Sequence, residues 1–240
     1  MSKHTKSFWA IVPAAGIGAR MQADRPKQYL SLLGKTVIEQ TLDRLLSLDS
    51  VTGVVVSISE TDEFWPSLNY LSQKPVIVSQ GGSERSDSVL HALLKLQQTL
   101  QSTGDDLSPV WVLVHDAARP CVRTDDIQKL IDQASDADEG GLLALPVRDT
   151  MKRSDSLNSV ENTVEREGLW HALTPQMFRL NLLIDALQNA QKKKLAITDD
   201  ASAMELAGYH PRLVIAHEDN IKITRAFDLR LAELFLLNQK

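Results

Sequence analysis

The stretch FWAIVPAAGIGARMQADRPKQYL, residues 8–30, decides the fold. An apolar run of strand length leads at once into Ala14, Ala15, Gly16 and Gly18, with Arg20 and Lys27 close behind. Such a run, ended by small residues, reads as a buried strand of a parallel sheet that opens into a loop whose bare backbone lets a ligand approach. Successive free amides at a strand end form a concavity for an anion, and phosphate is the natural guest. Arg20 adds a planar, bidentate cation and Lys27 a mobile point charge. A plain strand-to-helix turn with solvated charges is the competing reading of the same residues.

Two common phosphate loops do not fit. A dinucleotide fingerprint requires a small residue at the sixth position after Gly16-x-Gly18, and Met21 stands there. Gly34-Lys35-Thr36 ends like a P-loop, but the position of its first glycine is taken by Tyr29.

Working outward, short apolar runs alternate with segments of helical period, the pattern of a mostly parallel, doubly wound α/β sheet covered by helices on both faces. Strands are expected at 8–13, 51–59, 75–80, 110–115 and 141–147, with helices near 36–48, 63–72, 84–100 and 124–136. After residue 148 the rhythm breaks into RDTMKRSDSLNSVENTVEREG, too polar for a core element and longer than an ordinary connection. It reads as a disordered loop or as an arm, at about 149–167, that packs on something else. Beyond it, helices are expected at 179–193 and 199–208, strands at RLVIAH and NIKIT, and a last helix from 225. The later segments hold too few strands for a second sheet, so residues 1–240 are expected to form a single domain.

With 43% apolar and 24% charged residues the composition is that of a globular chain able to bury its own core. The single cysteine, Cys121, excludes an intramolecular disulfide and a cysteine-rich zinc site. No apolar run reaches the roughly 18 to 20 residues of a membrane span, and MSKHTKS lacks the apolar segment of a signal peptide, so a cytoplasmic location is expected, with no membrane partner. A formal net charge of −5 argues against nucleic acid as a partner, while leaving room for a small anion held by a local cationic cluster.

Three further stretches carry chemistry. In SQGGSERSDSVLHALLKL, Gly81 and Gly82 break a strand, and the first helical turns, with Arg85 and Ser88, stand at the sheet's carboxyl edge, where open α/β sheets bind ligands. In WVLVHDAARP, Asp116 emerges at the end of a buried strand, placed to hold Mg²⁺, to cap a turn or to bond to Arg119. His115, one residue earlier, points to the opposite face. In NIKIT, Ile221 and Ile223 share one face and leave Lys222 on the other, toward a cleft or toward solvent.

Together PAAGIGARMQADRPKQYL, GGSERSDSV, VHDAARP, PVRDTMKR with GLWHALTPQ, ITDDASAMELAG and DNIKITR run in order along nearly the whole chain. This series resembles the cytidylyltransferases that act on 2-C-methyl-D-erythritol 4-phosphate. The resemblance implies a Rossmann-like sheet of the nucleotide-diphospho-sugar transferase kind with a protruding arm. It also implies transfer of CMP from CTP to the methylerythritol phosphate with release of pyrophosphate, in isoprenoid precursor synthesis, with Mg²⁺ or another divalent cation as cofactor. By the same resemblance, Arg20, Lys27, Arg166 and Lys222 are catalytic, while Pro13, Ala14, Ala15, Gly16, Gly18, Gly82, Arg85, Ser88, Asp116 and Ala117 hold the nucleotide. Arg119, Thr150, Thr174 and Thr198 take the acceptor, Asp116 binds the metal, and the arm reaches across the two-fold axis of a homodimer. A cytidylyltransferase for another polyol phosphate, such as ribitol 5-phosphate, or a noncatalytic CTP-binding protein would share the CTP half. An NAD-dependent dehydrogenase is disfavoured by Met21.

Overall fold

The computed structural model describes residues 6–16 and 25–239, so Gly18, Arg20 and Met21 lie outside the described residues. The opening strand β1 (Ser7–Pro13) is buried on both faces and divides its side chains by strict alternation. Phe8, Ala10 and Val12 enter one apolar cluster, whereas Trp9 and Ile11 enter another on the opposite face. A strand buried this way needs helices above and below it, which is why the run carries no alternating polar residues.

Seven strands form the main sheet. Four of them are β1, β4 (Val51–Ile58), β5 (Val76–Gln80) and β6 (Val110–Val114). The others are β7 (Gly141–Pro146), β10 (Trp170–Arg179) and β11 (Arg212–Ile215). Their spatial order is β11-β7-β10-β6-β1-β4-β5, and only β10 runs antiparallel to its neighbours. From β1 the chain first steps outward through β4 and β5, then returns to place β6 on the other side of β1. The loops after β1 and β6 therefore diverge at a topological switch point, where a crevice opens at the carboxyl ends of the strands.

One face carries α1 (Val37–Leu46) and α4 (Thr124–Ala134), packing Ile38, Leu42, Leu45, Ile127 and Leu130 on the sheet. The other carries α3 (Arg85–Thr103), α5 (Leu180–Lys192) and α6 (Asp200–Leu206), through Leu93, Leu96, Leu183, Leu187 and Met204. The start of α1 is fixed by a capping box: the Glu39 N–H donates to Thr36 Oγ1, and the Thr36 N–H donates to Glu39 Oε2 at 2.7 Å. Helix α7 (Ala226–Asn238) closes a small satellite cluster with Leu32, Val37, Cys121 and Ile223.

The structure departs from the sequence expectations at three places. Residues 170–179 form the long strand β10, which inserts between β6 and β7 and carries a cis Thr174–Pro175 bond. NIKIT is not a strand: Ile223 N–H donates to the carbonyl of Ala118 at 2.8 Å, so the segment is tied to the loop after β6 rather than to a sheet neighbour. The helix expected at 63–72 shrinks to α2 (Trp65–Leu68), which ends where Asn69 turns left-handed at φ 48°.

The polar segment after residue 148 is ordered as an antiparallel hairpin of β8 (Met151–Ser154) and β9 (Val160–Val164). Nearly all of its side chains are exposed, and among the described residues its strands pair only with each other. A separate two-strand ribbon joins β2 (Ser31–Leu32) to β3 (Lys35–Thr36) ahead of α1.

Candidate active site

The crevice at the switch point is a cleft of about 220 Å³. Its floor is the backbone of Pro13, Ala14, Ala15 and Gly16, which leaves β1 with few side-chain atoms in the way. Gln28, buried beneath, holds that loop in shape: its amide Nε2 donates to the carbonyl of Ala14 at 2.6 Å and of Gly16 at 3.1 Å. Opposite stand Gly82, Arg85 and Ser88 at the start of α3. A methyl group on Gly81 would lie 2.3 Å from the Ala15 Cβ, and one on Gly82 would lie 2.2 Å from the Asp87 Cβ, so both positions exclude side chains. Ser88 Oγ accepts from the Gly82 N–H at 3.0 Å and itself donates to the Glu84 carbonyl at 3.1 Å, which sets the approach of this turn to the cleft.

The third wall follows β6. Asp116 lies there, buried, with Ala117 and Ala118 behind it. The Asp116 N–H donates to Thr174 Oγ1 at 3.1 Å, and Thr174 Oγ1 lies 3.0 Å from His115 Nδ1. The other ring nitrogen, Nε2, is 3.0 Å from the Arg119 carbonyl. Since that carbonyl only accepts, Nε2 carries the proton and Nδ1 accepts from the Thr174 hydroxyl. Burial pushes the imidazole down to about 4, in keeping with a neutral, structural histidine. His115 does turn away from the cleft, as its place in the strand predicts.

Three cations converge on the Asp116 carboxylate. Arg85 Nε is 2.9 Å from Oδ1, Lys222 Nζ is 2.8 Å from Oδ2, and Arg119 Nε is 3.5 Å from Oδ2. Burial alone would raise this carboxyl, but Arg85, Lys222 and Arg119 outweigh it and hold it far below the usual range. The Arg119 pairing weighed from sequence is therefore present, and Arg85 and Lys222 join it. Lys222 comes from the non-strand segment after β11, with Ile221 and Ile223 packed behind it. Lys27 enters from the short 3-10 turn Lys27–Tyr29 and donates from Nζ to the Ile223 carbonyl at 3.1 Å.

Lys27, Arg85, Asp116 and Lys222 thus share one cleft with Gly82, Ser88, Ala117 and the β1 loop. Arg119 and Thr174 lie just behind it, Arg119 also donating to the Asn220 carbonyl at 2.8 Å. Thr150 and Arg166 sit on or beside the exposed hairpin and do not line the cleft. Arg166 instead donates to the Arg148 carbonyl. Thr198 is exposed ahead of α6 and does not line it either. Gly18 and Arg20 belong to the residues outside the description.

Sequence reading missed Gln28, Asn220 and Asp200. Asn220 is buried and donates to the Thr174 carbonyl at 2.9 Å, joining the Lys222 segment to β10. Asp200 pairs with Arg85, Nη2 to Oδ2 at 2.9 Å. The available signals were that Gln28 directly follows Lys27 and that Asp200 and Asn220 lie within the quoted stretches ITDDASAMELAG and DNIKITR. Among the described residues, Asp125, Asp126 and His217 could group around a metal, but they lie outside the cleft lining, and Asp126 is engaged by the His217 backbone N–H at 2.8 Å.

A mostly parallel sheet with a cation-rich cleft at its switch point, floored by bare backbone, defines a nucleotide-binding α/β protein of the kind that handles polyphosphates. The family model described as 2-C-methyl-D-erythritol 4-phosphate cytidylyltransferase matches residues 8–238. A protein of that name from Vibrio vulnificus is 50% identical over 240 residues, covering 100% of this chain and 99% of its own. One from Pseudomonas putida is 52% identical over 223 residues, 93% of each. Among solved structures, a 4-diphosphocytidyl-2C-methyl-D-erythritol synthase superposes with a TM-score of 0.82 at 36% identity, covering 97% of this chain and 100% of that one. The Francisella tularensis 2-C-methyl-D-erythritol 4-phosphate cytidylyltransferase gives 0.81 at 36% identity, over 96% and 100%. The chain belongs to the 2-C-methyl-D-erythritol 4-phosphate cytidylyltransferase family.

Proposed function

We propose that this protein transfers CMP from CTP to 2-C-methyl-D-erythritol 4-phosphate, giving 4-diphosphocytidyl-2-C-methyl-D-erythritol and pyrophosphate for isoprenoid synthesis. The observation that carries the reading is the gathering of Lys27, Arg85 and Lys222 around a backbone-floored cleft, within a chain of this family. The nucleophile is a phosphate oxygen with a second pKa of about 6, so it is already ionised near neutrality and requires no general base. His115, neutral and fully engaged, is consistent with chemistry that takes no proton from the acceptor. The barrier is the meeting of two polyanions in line and the charge that grows on the leaving pyrophosphate.

In this reading the triphosphate lies on the Ala14–Gly16 backbone, and Gly82 and Ser88 test the cytosine edge. Arg20 and Lys27 neutralise charge at the α-phosphate. Preorganised cations of this kind contribute roughly 10² to 10³ in rate each, by analogy with oxyanion donors. Lys222, Arg119, Thr150, Thr174 and Thr198 receive the acceptor. Arg166 comes from the hairpin of a second copy, so that one domain of 240 residues, with its arm at 149–167, works as a homodimer. Its exposure and its absence from the cleft lining of its own chain support this assignment. A cytoplasmic location belongs to the same reading; no helix among the described residues is long and apolar enough to cross a membrane.

A divalent cation, Mg²⁺ in this proposal, fits Asp116. A carboxylate whose ionised form is favoured by Arg85, Lys222 and Arg119, at a strand end, is the hard oxygen donor such an ion takes alongside substrate phosphates. Of the three cations that face it, Lys222 has the most exposed side chain, at 39%. When bound, the ion would neutralise phosphate oxygens and orient the triphosphate.

The test is pyrophosphate release from CTP with Mg²⁺, comparing 2-C-methyl-D-erythritol 4-phosphate, ribitol 5-phosphate and no acceptor. Release only with the methylerythritol phosphate is expected. Release with ribitol 5-phosphate instead would overturn the acceptor, and CTP binding without release under any condition would leave a nucleotide-binding protein only.

A further inference from the structure

Asp200 is the most conspicuous buried charge that the reaction does not use. It opens α6, is 1% exposed, and belongs to neither the cleft lining nor the acceptor set. Its Oδ2 forms an ion pair with Arg85 Nη2 at 2.9 Å, while among the described residues neither of its oxygens has a partner of hydrogen-bond geometry. A carboxylate held in a core by an ion pair alone is expensive, and it persists only where the surroundings fix it. Burial raises the Asp200 carboxyl, Asp116 and Asp199 add to the rise, and among the described residues Arg85 opposes it.

Arg85 is shared. Its Nε meets Asp116 Oδ1 at 2.9 Å while Nη2 meets Asp200, so one guanidinium spans two carboxylates, one following β6 and one opening α6. An arginine facing a single carboxylate prefers the bidentate fork, with two parallel N–H···O bonds. Asp200 withdraws one arm of the fork and so limits Arg85 to one oxygen of Asp116. Oδ2 is left to Lys222 and Arg119. We propose that Asp200 is a positioning residue of the nucleotide site: by holding the Nη2 arm of Arg85, it limits that arginine to one oxygen of Asp116 and fixes its guanidinium at the cleft wall for the incoming triphosphate.

The inference rests on the cleft binding CTP, so calorimetry of CTP with the unaltered protein comes first, and absence of binding there would remove the proposed function itself. Given that binding, Asp200→Asn keeps the side-chain volume and removes the charge. It should raise the CTP dissociation constant about tenfold or more, with turnover at saturating CTP held within about threefold. Arg85→Gln should weaken CTP binding at least as much, and the double variant should be no worse than Arg85→Gln alone, because Asp200 acts through Arg85. Should Asp200→Asn fail to fold, Arg85→Lys carries the test: it keeps the charge but cannot span both carboxylates, and the same tenfold loss is expected. Unchanged CTP affinity in a folded Asp200→Asn or in Arg85→Lys, or additive losses in the double variant, would overturn the proposal and leave Asp200 a stability residue.

Discussion

Lys222 Nζ lies 2.8 Å from Asp116 Oδ2, so the lysine assigned to the acceptor phosphate rests on the carboxylate assigned to the metal. The two residues are far apart in sequence, and their contact couples the two halves of the proposed reaction. In the proposed reaction Asp116 would hold the cation and Lys222 the acceptor phosphate. Lys222→Ala should therefore lower kcat/KM for the acceptor by about 10² or more, in line with the loss of one preorganised charge, and leave CTP affinity within about threefold. Steady-state kinetics in both substrates, with calorimetry for CTP, checks this; a collapse of CTP affinity would place Lys222 on the wrong substrate.

Lys27 should behave differently from the loop it adjoins. The backbone of Ala14 to Gly16 floors the cleft whether or not the lysine is present. Lys27→Ala is expected to cost about 10² to 10³ in turnover while CTP binding changes by less than about fivefold. If saturating CTP restored turnover, Lys27 would be a binding residue only.

Gln28 makes the loop's shape testable. It is 4% exposed and its Nε2 supplies hydrogen bonds to two loop carbonyls. Gln28→Leu fills similar space but leaves those carbonyls without that donor, at about 1 to 3 kcal/mol. A lower Tm together with weaker CTP binding is expected. Loss of Tm with CTP affinity intact would mean the loop holds its shape without Gln28.

The hairpin can be tested by complementation. Lys27→Ala and Arg166→Ala chains should each be inactive alone. If Arg166 serves the partner's site, a mixed dimer has one site with an intact Lys27 and an Arg166 donated by the other chain, and mixing the two variants restores activity. No recovery in a mixture shown to exchange subunits would return Arg166 to its own chain.

Cys121 should be inert. It is fully buried with Sγ 3.6 Å from the Ala232 carbonyl, and burial, followed by Asp219, pushes the thiol up to about 12. At pH 8 its thiolate fraction should fall about three orders of magnitude below that of a free cysteine. Iodoacetamide should leave the native protein unlabelled and label it after unfolding; rapid native labelling would show that α7 opens.

The sequence alone determined the local grammar. The run Phe8–Val12 announced a strand buried on both faces, and Gly81 and Gly82 announced a sharp turn; Lys222 does face the cleft between inward-packed Ile221 and Ile223, though not on the strand from which that was argued. Periodicity reports which face of a segment is buried, and side-chain chemistry reports what it could bind. Neither reports which segments become neighbours. Only the tertiary structure decided that β10 enters antiparallel between β6 and β7, that NIKIT is tied to a loop rather than a sheet, and that Asp116 meets Arg85, Arg119 and Lys222 together. Strand pairing and ion pairing join groups brought together by the whole packing of helices on the sheet. The charges of this site were thus legible one by one, but their convergence on a single carboxylate came from the fold.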